Sequence, residues 1–425
     1  MNEVVPIPAA LLRPVSEREL ASAVLILGAG CAGLALALDL RRQGFEQPIV
    51  LLDRRSRWTD DRVWCFWSGP DEDGAEIATA TWSRWAVRGP ERLVKRSARR
   101  TAYRRVRSGD FTAAAFEELA AAGGVHLLPR ERVLDVLERP GKAPMVRTTR
   151  RAYAPHLVVD ARGPRLDRGA AERPTDGDVW LGQEFVGQTV RVTRPVFDPG
   201  TCTLMDFRLA QDDGVRFLYV LPTSGTEALV ESVHFSAGSR IDVAGHRARI
   251  EDHLRRVYGF ERADIAVLRE ERGCIPMTTE RPRTVLGPRH YAIGAAGGAV
   301  RPSSGYAFLR IRRASRRVAA DICAGRIPDA KIDTARRRLL DDVFLHFLQV
   351  ESALVPSVFE RMFARCPSSA LIRFLTDRST PLDEVLLVAA LPKRPFLTIL
   401  LRLAGARLAP RSAPSRRFTG AAATS

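Results

Sequence analysis

The chain has 425 residues, of which 45% are hydrophobic, and this is enough for one large domain or two closely joined domains with a sizeable core. Its 66 lysines and arginines outnumber its 49 aspartates and glutamates, and the net charge of +17 suggests affinity for polyanions such as an anionic membrane surface. The six cysteines form no C-x-x-C pair and no metal-like spacing with the seven histidines. We therefore expect a reduced, cytoplasmic protein without a bound metal, rather than a disulfide-stapled secreted scaffold.

The first forty residues predict a strand and a helix rather than a targeting segment. The residues before Ala21 have neither the basic start nor the apolar stretch of a signal peptide, so we do not expect export. The run from Ala21 to Leu38 is apolar enough to resemble a membrane span, but it contains a glycine triplet that a strand, a turn and a helix explain better. We expect no transmembrane helix.

A dinucleotide-binding pattern begins at Val24. Four aliphatic residues predict a buried parallel strand, and a G-x-G-x-x-G sequence follows with its glycines at Gly28, Gly30 and Gly33. The first glycine permits a tight turn, the second lets the backbone approach a pyrophosphate, and the third allows the helix from Leu34 to Gln43 to pack closely on the strand. Asp53 ends the second strand and is expected to bond ribose hydroxyls. A glycine-rich turn without a ligand is the alternative.

Aromatic residues are concentrated shortly after Asp53, in the segment Asp61-Arg62-Val63-Trp64-Cys65-Phe66-Trp67. We expect Trp64, Phe66 and Trp67 to line a pocket for a large apolar ligand or to run beneath a flavin ring, with Arg62 at the cofactor. A surface loop with an aromatic anchor is the alternative.

Later segments predict a return of the chain to the same sheet. Short strands are expected between Thr81 and Tyr103, then a helix over residues 111–122 and a strand over residues 125–128 beside the first two. A buried strand over residues 157–160 ends at Asp160, next to the expected adenosine site. After a strand near Tyr291, the loop with Gly294, Pro302 and Gly305 would bring a second set of backbone N–H groups to the flavin ring and pyrophosphate.

Between about Gly182 and Arg272 the hydrophobic pattern changes to a period of two, which predicts an antiparallel sheet. Such a sheet roofs the substrate site in many flavoenzymes. We expect an α/β fold, a Rossmann-like FAD-binding flavoprotein fold with an inserted antiparallel substrate domain and a helical C-terminal region. The predicted organisation is an FAD-binding domain over 21–180, the substrate-binding sheet over 181–272, a returning FAD-binding segment over 273–325, a helical region over 326–408 and a disordered tail over 409–425.

The helical region ends in two apolar runs, residues 385–391 and 396–403. Neither reaches the roughly 20 apolar residues that a membrane span requires. Because Lys393, Arg394 and Arg402 flank them, they fit a position in the membrane interface. A helical cap packed on the core is the alternative.

Several motifs, in this order, resemble the FAD-dependent lycopene cyclases, in particular the bacterial β-cyclase type, over roughly residues 23–403. They are the glycine fingerprint, Asp61-Arg62-Val63-Trp64-Cys65-Phe66-Trp67, Leu204-Met205-Asp206-Phe207-Arg208, Phe217-Leu218-Tyr219-Val220-Leu221-Pro222, Leu229-Val230-Glu231-Ser232, Gly273-Cys274-Ile275-Pro276-Met277 and Arg301-Pro302-Ser303-Ser304-Gly305-Tyr306-Ala307-Phe308. The resemblance implies a cyclase that forms β-ionone rings on lycopene or a related acyclic carotenoid, giving γ- or β-carotene. It further implies reduced FAD as cofactor, NAD(P)H as reductant and no net redox change.

The resemblance also implies which residue is the catalytic acid. Cyclisation needs a proton donor that stays protonated near neutral pH, which a buried carboxyl provides. Glu231 matches the first acid of the family's motif, whereas Ser232 stands where the family has a second acid. A solvated strand residue is the alternative for Glu231. Asp206 is the second candidate acid, although in a strand it shares a face with Arg208 and an ion pair would explain it equally.

The carbocation that follows needs π-rich surroundings without water. Phe217, Tyr219 and Tyr306, together with the aromatic segment after Asp53, are expected to bind the substrate and to offer aromatic faces to the cation.

Two other classes of function compete with the cyclase. A flavin-dependent monooxygenase or halogenase acting on an apolar substrate would use the same fold. The hypothesis of a basic binding module without enzymatic activity is supported by the net charge alone. The chain has no nucleic-acid motif, so nucleic acid is not an expected partner. Because a carotenoid dissolves in bilayers, we expect a cytoplasmic protein attached peripherally to the anionic inner face of the cell membrane.

Overall fold

The computed structural model describes residues 3–139, 141–163, 178–238 and 241–408. Its strands are β1 (Val4–Val5), β2 (Val24–Leu27), β3 (Ile49–Leu52), β4 (Trp58–Thr59), β5 (Val63–Ser68), β6 (Ala80–Trp82), β7 (Arg84–Arg88), β8 (Leu93–Ser97), β9 (Ala102–Arg107), β10 (Val125–Leu128), β11 (Val133–Leu137), β12 (Met145–Thr148), β13 (Ala152–Tyr153), β14 (Leu157–Asp160), β15 (Trp180–Val192), β16 (Thr201–Asp206), β17 (Val215–Pro222), β18 (Glu227–Ser236), β19 (Ile265–Thr278), β20 (Val285–Gly287) and β21 (His290–Ala292). Its helices are α1 (Glu17–Ser22), α2 (Cys31–Arg42), α3 (Ser108–Ala122), α4 (Val243–Tyr258), α5 (Phe308–Cys323), α6 (Ala335–Val350), α7 (Val355–Arg365), α8 (Ser368–Leu375), α9 (Pro381–Ala390) and α10 (Lys393–Leu408). The tail over 409–425, for which disorder is predicted, lies outside the described residues.

A six-stranded sheet with the order β10-β3-β2-β14-β21-β20 forms the nucleotide-binding half. The first five strands are parallel, and β20 joins the edge antiparallel to β21. The central strands β2 and β3 are buried at every position, as continuous aliphatic strands covered on both faces should be. Helices α2, α3 and α5 cover one face, and the other packs on Val146 of β12 and Tyr153 of β13. This arrangement confirms the predicted Rossmann-like fold, including the strand over 125–128 beside the first two and the return at residues 157–160.

The second large sheet has the order β19-β15-β18-β17-β16-β7-β8. All neighbouring strands are antiparallel except β16 and β7, which run parallel. The period-two pattern between residues 182 and 272 is thereby confirmed as a sheet. The sheet also takes in β7 and β8, which precede residue 181, and β19 continues to Thr278.

The two faces of this second sheet have different covers. Helix α4 covers one face, where Ile250 and Leu254 pack on Leu218, Val230 and Val190. The other face points into the molecule toward the aromatic segment of β5 and the C-terminal helices. There Trp67 and Phe217 belong to the same buried cluster as Phe347, Phe359 and Met362. Side chains of alternate residues on β17 and β18 therefore enter two separate environments.

The two C-terminal apolar runs form α9 and the first part of α10. Helix α10 begins at Lys393, so Pro395 lies in its first turn, where the missing N–H has no helical partner to lose. Phe396 stacks on Phe347 with ring centroids 4.5 Å apart, and Ile399 is buried. One side of the pair thus packs on the core, while Val385 and Leu401 are exposed on the other. Among the described helices, none is both long enough and apolar enough to cross a bilayer.

Candidate active site

The turn after β2 forms a cradle at the N terminus of α2. Gly28 has a φ of +102°, which favours glycine, and a Cβ on Gly33 would overlap the Gly28 carbonyl oxygen. A Cβ on Gly30, by contrast, would meet nothing within 4 Å, so space remains open in front of the first turn of α2. A helix N terminus with open space before it fits a phosphate group, which agrees with the role predicted for these glycines.

Asp53 and Asp160 end the two strands that flank β2. The Ala29 N–H donates to Asp53 Oδ2 at 2.8 Å, and Arg55 forms an ion pair with the same carboxylate at 2.8 Å. Burial alone would raise the pKa of Asp53, but Arg55 and the backbone donors hold this pKa below its ordinary value. Asp160 is paired with Arg162 at 2.6 Å. Asp53 therefore fixes the glycine turn, and contact of either carboxylate with a cofactor stays a prediction.

The loop after β21 reaches the same cradle from the other side. Gly294 has a φ of +66°, and a Cβ there would lie 2.7 Å from Ala32 Cβ in the first turn of α2. Gly305 packs so tightly on Gln183 of β15 that a Cβ would overlap its side-chain oxygen, and Pro302 is buried in the same loop. The loop therefore joins the cradle to the second sheet.

Arg62 lies between the cradle and the second sheet. It is paired with Asp61 at 2.9 Å, and it interacts electrostatically with Cys31 at the start of α2 and with Glu271 on β19. A ligand that spans these two regions would pass this guanidinium. The predicted cofactor role of Arg62 remains open.

The structure divides the aromatic residues of β5 between the two faces of that strand. Trp64 and Phe66 stack on Phe308, with ring centroids 5.2 and 5.1 Å apart, within the core of the nucleotide-binding half. Cys65 and Trp67 point the other way, where Trp67 meets Trp85 edge-on at 4.5 Å. Of the predicted substrate-binding residues on β5, only Trp67 therefore lies on the face of Glu231.

Two carboxyl groups meet on the inner face of the second sheet. In the strand register, Gly187 of β15 stands opposite Glu231 of β18 on one side and opposite Glu271 of β19 on the other. Because Gly187 has no side chain, the two glutamates converge over it and their carboxyl groups hydrogen-bond to each other. Arg269, two residues along β19, binds Glu271 Oε2 at 2.7 Å and Asp60 Oδ2 at 3.1 Å.

The surroundings of this pair favour a bound proton. Burial, and then the charge of Glu271, raise the pKa of Glu231 well above its ordinary value. Burial also raises the pKa of Glu271, to about 7, although the neighbouring Arg269 opposes this shift. Near neutral pH, Glu231 is therefore a protonated acid and Glu271 is the more readily ionised partner.

Aromatic side chains stand beside the acid pair. Tyr219 stands directly opposite Glu231 on β17, and both retain some accessible surface although protein encloses them. The same holds for Cys65 and Tyr306. Cys65 and Tyr306 also line a pocket together with Trp67 and Phe308. Phe217, two residues from Tyr219 and on the same face, is fully buried and meets the Tyr219 ring edge-on at 5.4 Å.

Asp206 and Ser232 lie on the opposite face of the sheet from Glu231. Both are in register with Leu218, whose neighbour Tyr219 faces Glu231. Asp206 is paired with Arg208 at 2.5 Å, and the Ser232 hydroxyl contacts His246 of α4 at 2.9 Å. The ion-pair alternative for Asp206 is thus the arrangement observed. Because Ser232 faces α4, an acid at position 232 would point away from the side of the sheet on which Glu231 lies.

Sequence reasoning missed Glu271. Its signal was present but incomplete: the residue lies two positions before the Gly273-Cys274-Ile275-Pro276-Met277 motif, on a segment that had no predicted strand. The contact with Glu231 depends on the register of three strands, which the sequence does not reveal.

Comparisons with known proteins identify relatives of this chain. A family model described as "Lycopene cyclase protein" matches residues 23–401. The chain is 28% identical to a lycopene beta-cyclase from Paracoccus sp. (strain N81106 / MBIC 01143) and 26% identical to one from Pantoea ananas, in each case over 89% of this chain and 96% of the relative.

Solved structures share the fold at low sequence identity. The halogenase PltM is 13% identical, with a TM-score of 0.58 over 92% of this chain and 97% of that one. A flavoprotein/dehydrogenase from Cytophaga hutchinsonii is 13% identical, with a TM-score of 0.57 over 87% of this chain and 99% of that one. The flavin-dependent brominase Bmp2 is 14% identical, with a TM-score of 0.54 over 90% of this chain and 98% of that one. The fold is therefore one that flavoproteins use.

Proposed function

Because the chain belongs to the lycopene cyclase protein family, we propose that it cyclises the acyclic ψ end groups of lycopene or a related carotenoid to β-ionone rings. The products are γ-carotene or β-carotene, formed without net redox change. The observation that carries this proposal is Glu231 itself, whose pKa burial raises well above the ordinary value and which stands directly opposite Tyr219 on the inner face of the second sheet. The names of the relatives supply the class of substrate.

Glu231 acts as the acid. Its proton adds to the terminal double bond of the end group, and the internal double bond attacks the resulting tertiary cation to close the ring. Loss of a ring proton then ends the reaction. Burial keeps Glu231 protonated at a pH where a solvated glutamate is ionised, so the proton is present when the substrate arrives.

The neighbouring aromatic side chains protect the cation. Tyr219 faces Glu231 directly, and Tyr306 interacts with Tyr103 and Trp67 on the neighbouring strands. Their rings offer π faces to a positive charge, and their enclosure limits the water that would capture it.

We further propose FAD as the cofactor, kept reduced by NAD(P)H. The open space at Gly30, the helix N terminus behind it and the close approach of Gly294 fit a dinucleotide. A reduced flavin bound there would supply negative charge toward the developing cation. Asp53, Asp160 and Arg62 would hold its nucleotide and phosphate groups.

Gly30→Ala tests the cofactor site because the methyl group would fill the open space without meeting protein atoms. We expect weaker flavin binding, measured by flavin fluorescence on titration, at an unchanged unfolding midpoint of the flavin-free protein. Unchanged flavin affinity would contradict this placement of the cofactor.

The exposed side of α9 and α10 is the proposed membrane contact. Leu382, Val385, Leu397 and Leu401 are exposed there, and Lys393 and Arg394 are exposed between the two apolar runs. Apolar side chains with adjacent basic residues fit an anionic bilayer surface, which would be the inner face of the cell membrane for a cytoplasmic protein.

Liposome pelleting tests this contact. The wild-type protein should pellet with phosphatidylglycerol vesicles at low salt, and Leu401→Glu should weaken this binding. Leu134→Glu, on the exposed strand β11, is the matched control and should bind as the wild type does. Equal binding by both variants would exclude α10 as the contact.

Expression in lycopene-accumulating cells tests the function itself. Chromatography should show γ-carotene or β-carotene, and an unchanged lycopene profile in cells that contain folded protein would refute the cyclase. Oxygen consumption in step with product would instead indicate a flavin-dependent monooxygenase or halogenase.

A further inference from the structure

Glu231 has a carboxyl partner that is distant in sequence. Glu271 lies forty positions further along the chain, and it reaches Glu231 only because both strands flank Gly187 on the inner face of the sheet. A Cβ at Gly187 would lie 2.9 Å from Glu231 Oε2 and 3.2 Å from Glu271 Cγ, so any larger residue would intrude between the two acids. The neighbouring position in sequence, Ser232, faces the other side of the sheet.

We propose that Glu271 is the proton acceptor of the proposed cyclisation: it holds the acidic proton on Glu231 and then takes up the proton that the closing ring releases. This inference rests on the proposed cyclase function. Before reaction, the Glu231 O–H donates to the Glu271 carboxylate, which fixes the proton between the two acids.

The proton that the ring releases replaces the proton that Glu231 donates, so the two glutamates account for both transfers. The O–H bond of Glu231 breaks and a C–H bond forms at the terminal double bond, which leaves Glu231 as a carboxylate. The electrons of the internal double bond form the ring C–C bond and leave a new cation within the ring. A C–H bond beside this cation breaks, its electrons form the ring double bond, and its proton passes to Glu271. Transfer of that proton from Glu271 to Glu231 restores the starting state, so no oxidant or reductant is consumed.

Arg269 makes the pair asymmetric, and the asymmetry assigns the two roles. Its guanidinium binds Glu271 at 2.7 Å, and Asp60, itself paired with Arg107 at 2.9 Å, holds the same guanidinium at 3.1 Å. Glu231 has no contact of this kind in the described structure. The charge of the pair therefore resides mainly on Glu271, which is the state that a proton acceptor requires.

Other charged and titratable groups face Glu271 from the packed elements around it. They are Glu231 on β18, Arg269 on β19, Asp60 and Arg62 before β5, Cys65 on β5 and Arg105 on β9. Three of these are arginines, which favour the ionised form of Glu271, while Glu231, Asp60 and burial oppose it. This balance agrees with the pKa of about 7 for Glu271.

Glu270 supplies a matched control. It precedes Glu271 on the same strand, and its carboxylate points to the other face, where it binds Arg247 at 2.6 Å. Glu270→Gln and Glu271→Gln make the same chemical change one residue apart, and only the second removes the carboxylate beside Glu231.

The experiment measures ring formation and the position of the ring double bond for the wild type, Glu270→Gln, Glu271→Gln and Glu271→Asp as holoenzymes with lycopene in vesicles. For Glu271→Gln we expect at least about 100-fold slower ring formation. Its residual product should contain a larger share of rings with a displaced double bond, because another proton leaves. Glu271→Asp should recover part of the rate. Glu270→Gln should match the wild type.

The pH profile distinguishes a proton acceptor from a structural residue. Wild-type activity should fall as the pH drops below about 7, since Glu271 then becomes protonated. Glu271→Gln should lack this acidic limb in its residual activity. Wild-type-like rate and products, or an unchanged acidic limb, would overturn the proposal. Absence of cyclic product from the wild type and from Glu270→Gln alike would instead refute the cyclase function.

Discussion

Two clusters of buried charge lie in this molecule, and they behave differently. The acid pair, Glu231 and Glu271 with Arg269, lies on the inner face of the second sheet. The second cluster, here called the arginine clamp, consists of Arg301 and Arg310 on the returning segment with Asp333, Arg337, Arg338, Asp341 and Asp377 from the C-terminal region. In the clamp, Arg301 and Asp341 are wholly buried at 3.3 Å, and Arg310 contacts Asp333 at 2.7 Å and Asp377 at 2.9 Å.

The difference lies in the balance of charge. In the clamp, burial acts to lower the pKa of Arg310, but Asp377 and Asp333 raise it overall, so the guanidinium stays charged and ties the C-terminal helices to the nucleotide-binding half. In the acid pair, two carboxyl groups share one guanidinium, and the excess acid keeps a proton. Each carboxylate of the clamp thus has a guanidinium partner and stays ionised, whereas the acid pair has one carboxyl more than guanidiniums and retains a proton, as a proton donor requires.

Glu231→Gln should produce the largest effect on activity. Loss of the acid is expected to slow ring formation by about 10² to 10⁴-fold, measured by product chromatography. Glu227→Gln, on the same strand but paired with Arg191, should keep the wild-type rate.

The stability of Glu231→Gln should stay equal to that of the wild type or rise at neutral pH. In the unfolded chain Glu231 ionises at its ordinary pKa, while the folded chain retains the proton, so the wild-type free energy of unfolding falls as the pH rises above that value. Denaturant titration at two pH values measures this. A loss of stability comparable to that of a clamp variant would contradict the distinction between the clusters.

Arg301→Met should have the largest effect on stability. Removing one partner of a buried pair leaves Asp341 uncompensated, and we expect the free energy of unfolding to fall by about 3–5 kcal/mol in denaturant titration. The double variant Arg301→Met, Asp341→Asn should recover part of this loss because no unmatched charge remains. Equal stability of the wild type and the single variant would show that the clamp contributes nothing.

Gly187→Ala should have an intermediate effect. The new methyl group would force the two acids apart, and displacement by about 1 Å is expected to slow ring formation by about 10- to 100-fold at unchanged flavin content. Gly225→Ala, in the turn between β17 and β18, is the control with a similar contact to Pro195. A normal rate in Gly187→Ala would mean that Glu231 works without its partner.

Asp206→Asn should have the smallest effect. Its side chain faces α4 and binds Arg208, so ring formation should stay near the wild-type rate while stability falls by about 1 kcal/mol. A loss of activity as large as that of Glu231→Gln would place Asp206 in the chemistry after all.

The sequence predicts much of the candidate site, and the rest depends on how the strands pair and which way their side chains face. The glycine fingerprint and Asp53 define the cradle because turn chemistry is local. The division of β5 follows from the alternation of side chains, which separates Trp64 and Phe66 from Cys65 and Trp67. Contact of these aromatic residues with the substrate stays a prediction.

The sequence by itself determined the Rossmann-like fold and the position of the second sheet, since local patterns carry these, and its motifs singled out Glu231 as the proposed acid. Only the tertiary structure decided that Glu271 rather than Asp206 is the second carboxyl beside Glu231. The pairing of β18, β15 and β19 brings residues forty positions apart across a glycine, and it turns Asp206 to the far face. The register of a strand is set only when it pairs with its neighbours. A shift of one residue would have moved the side chains of that strand to the opposite face of the sheet.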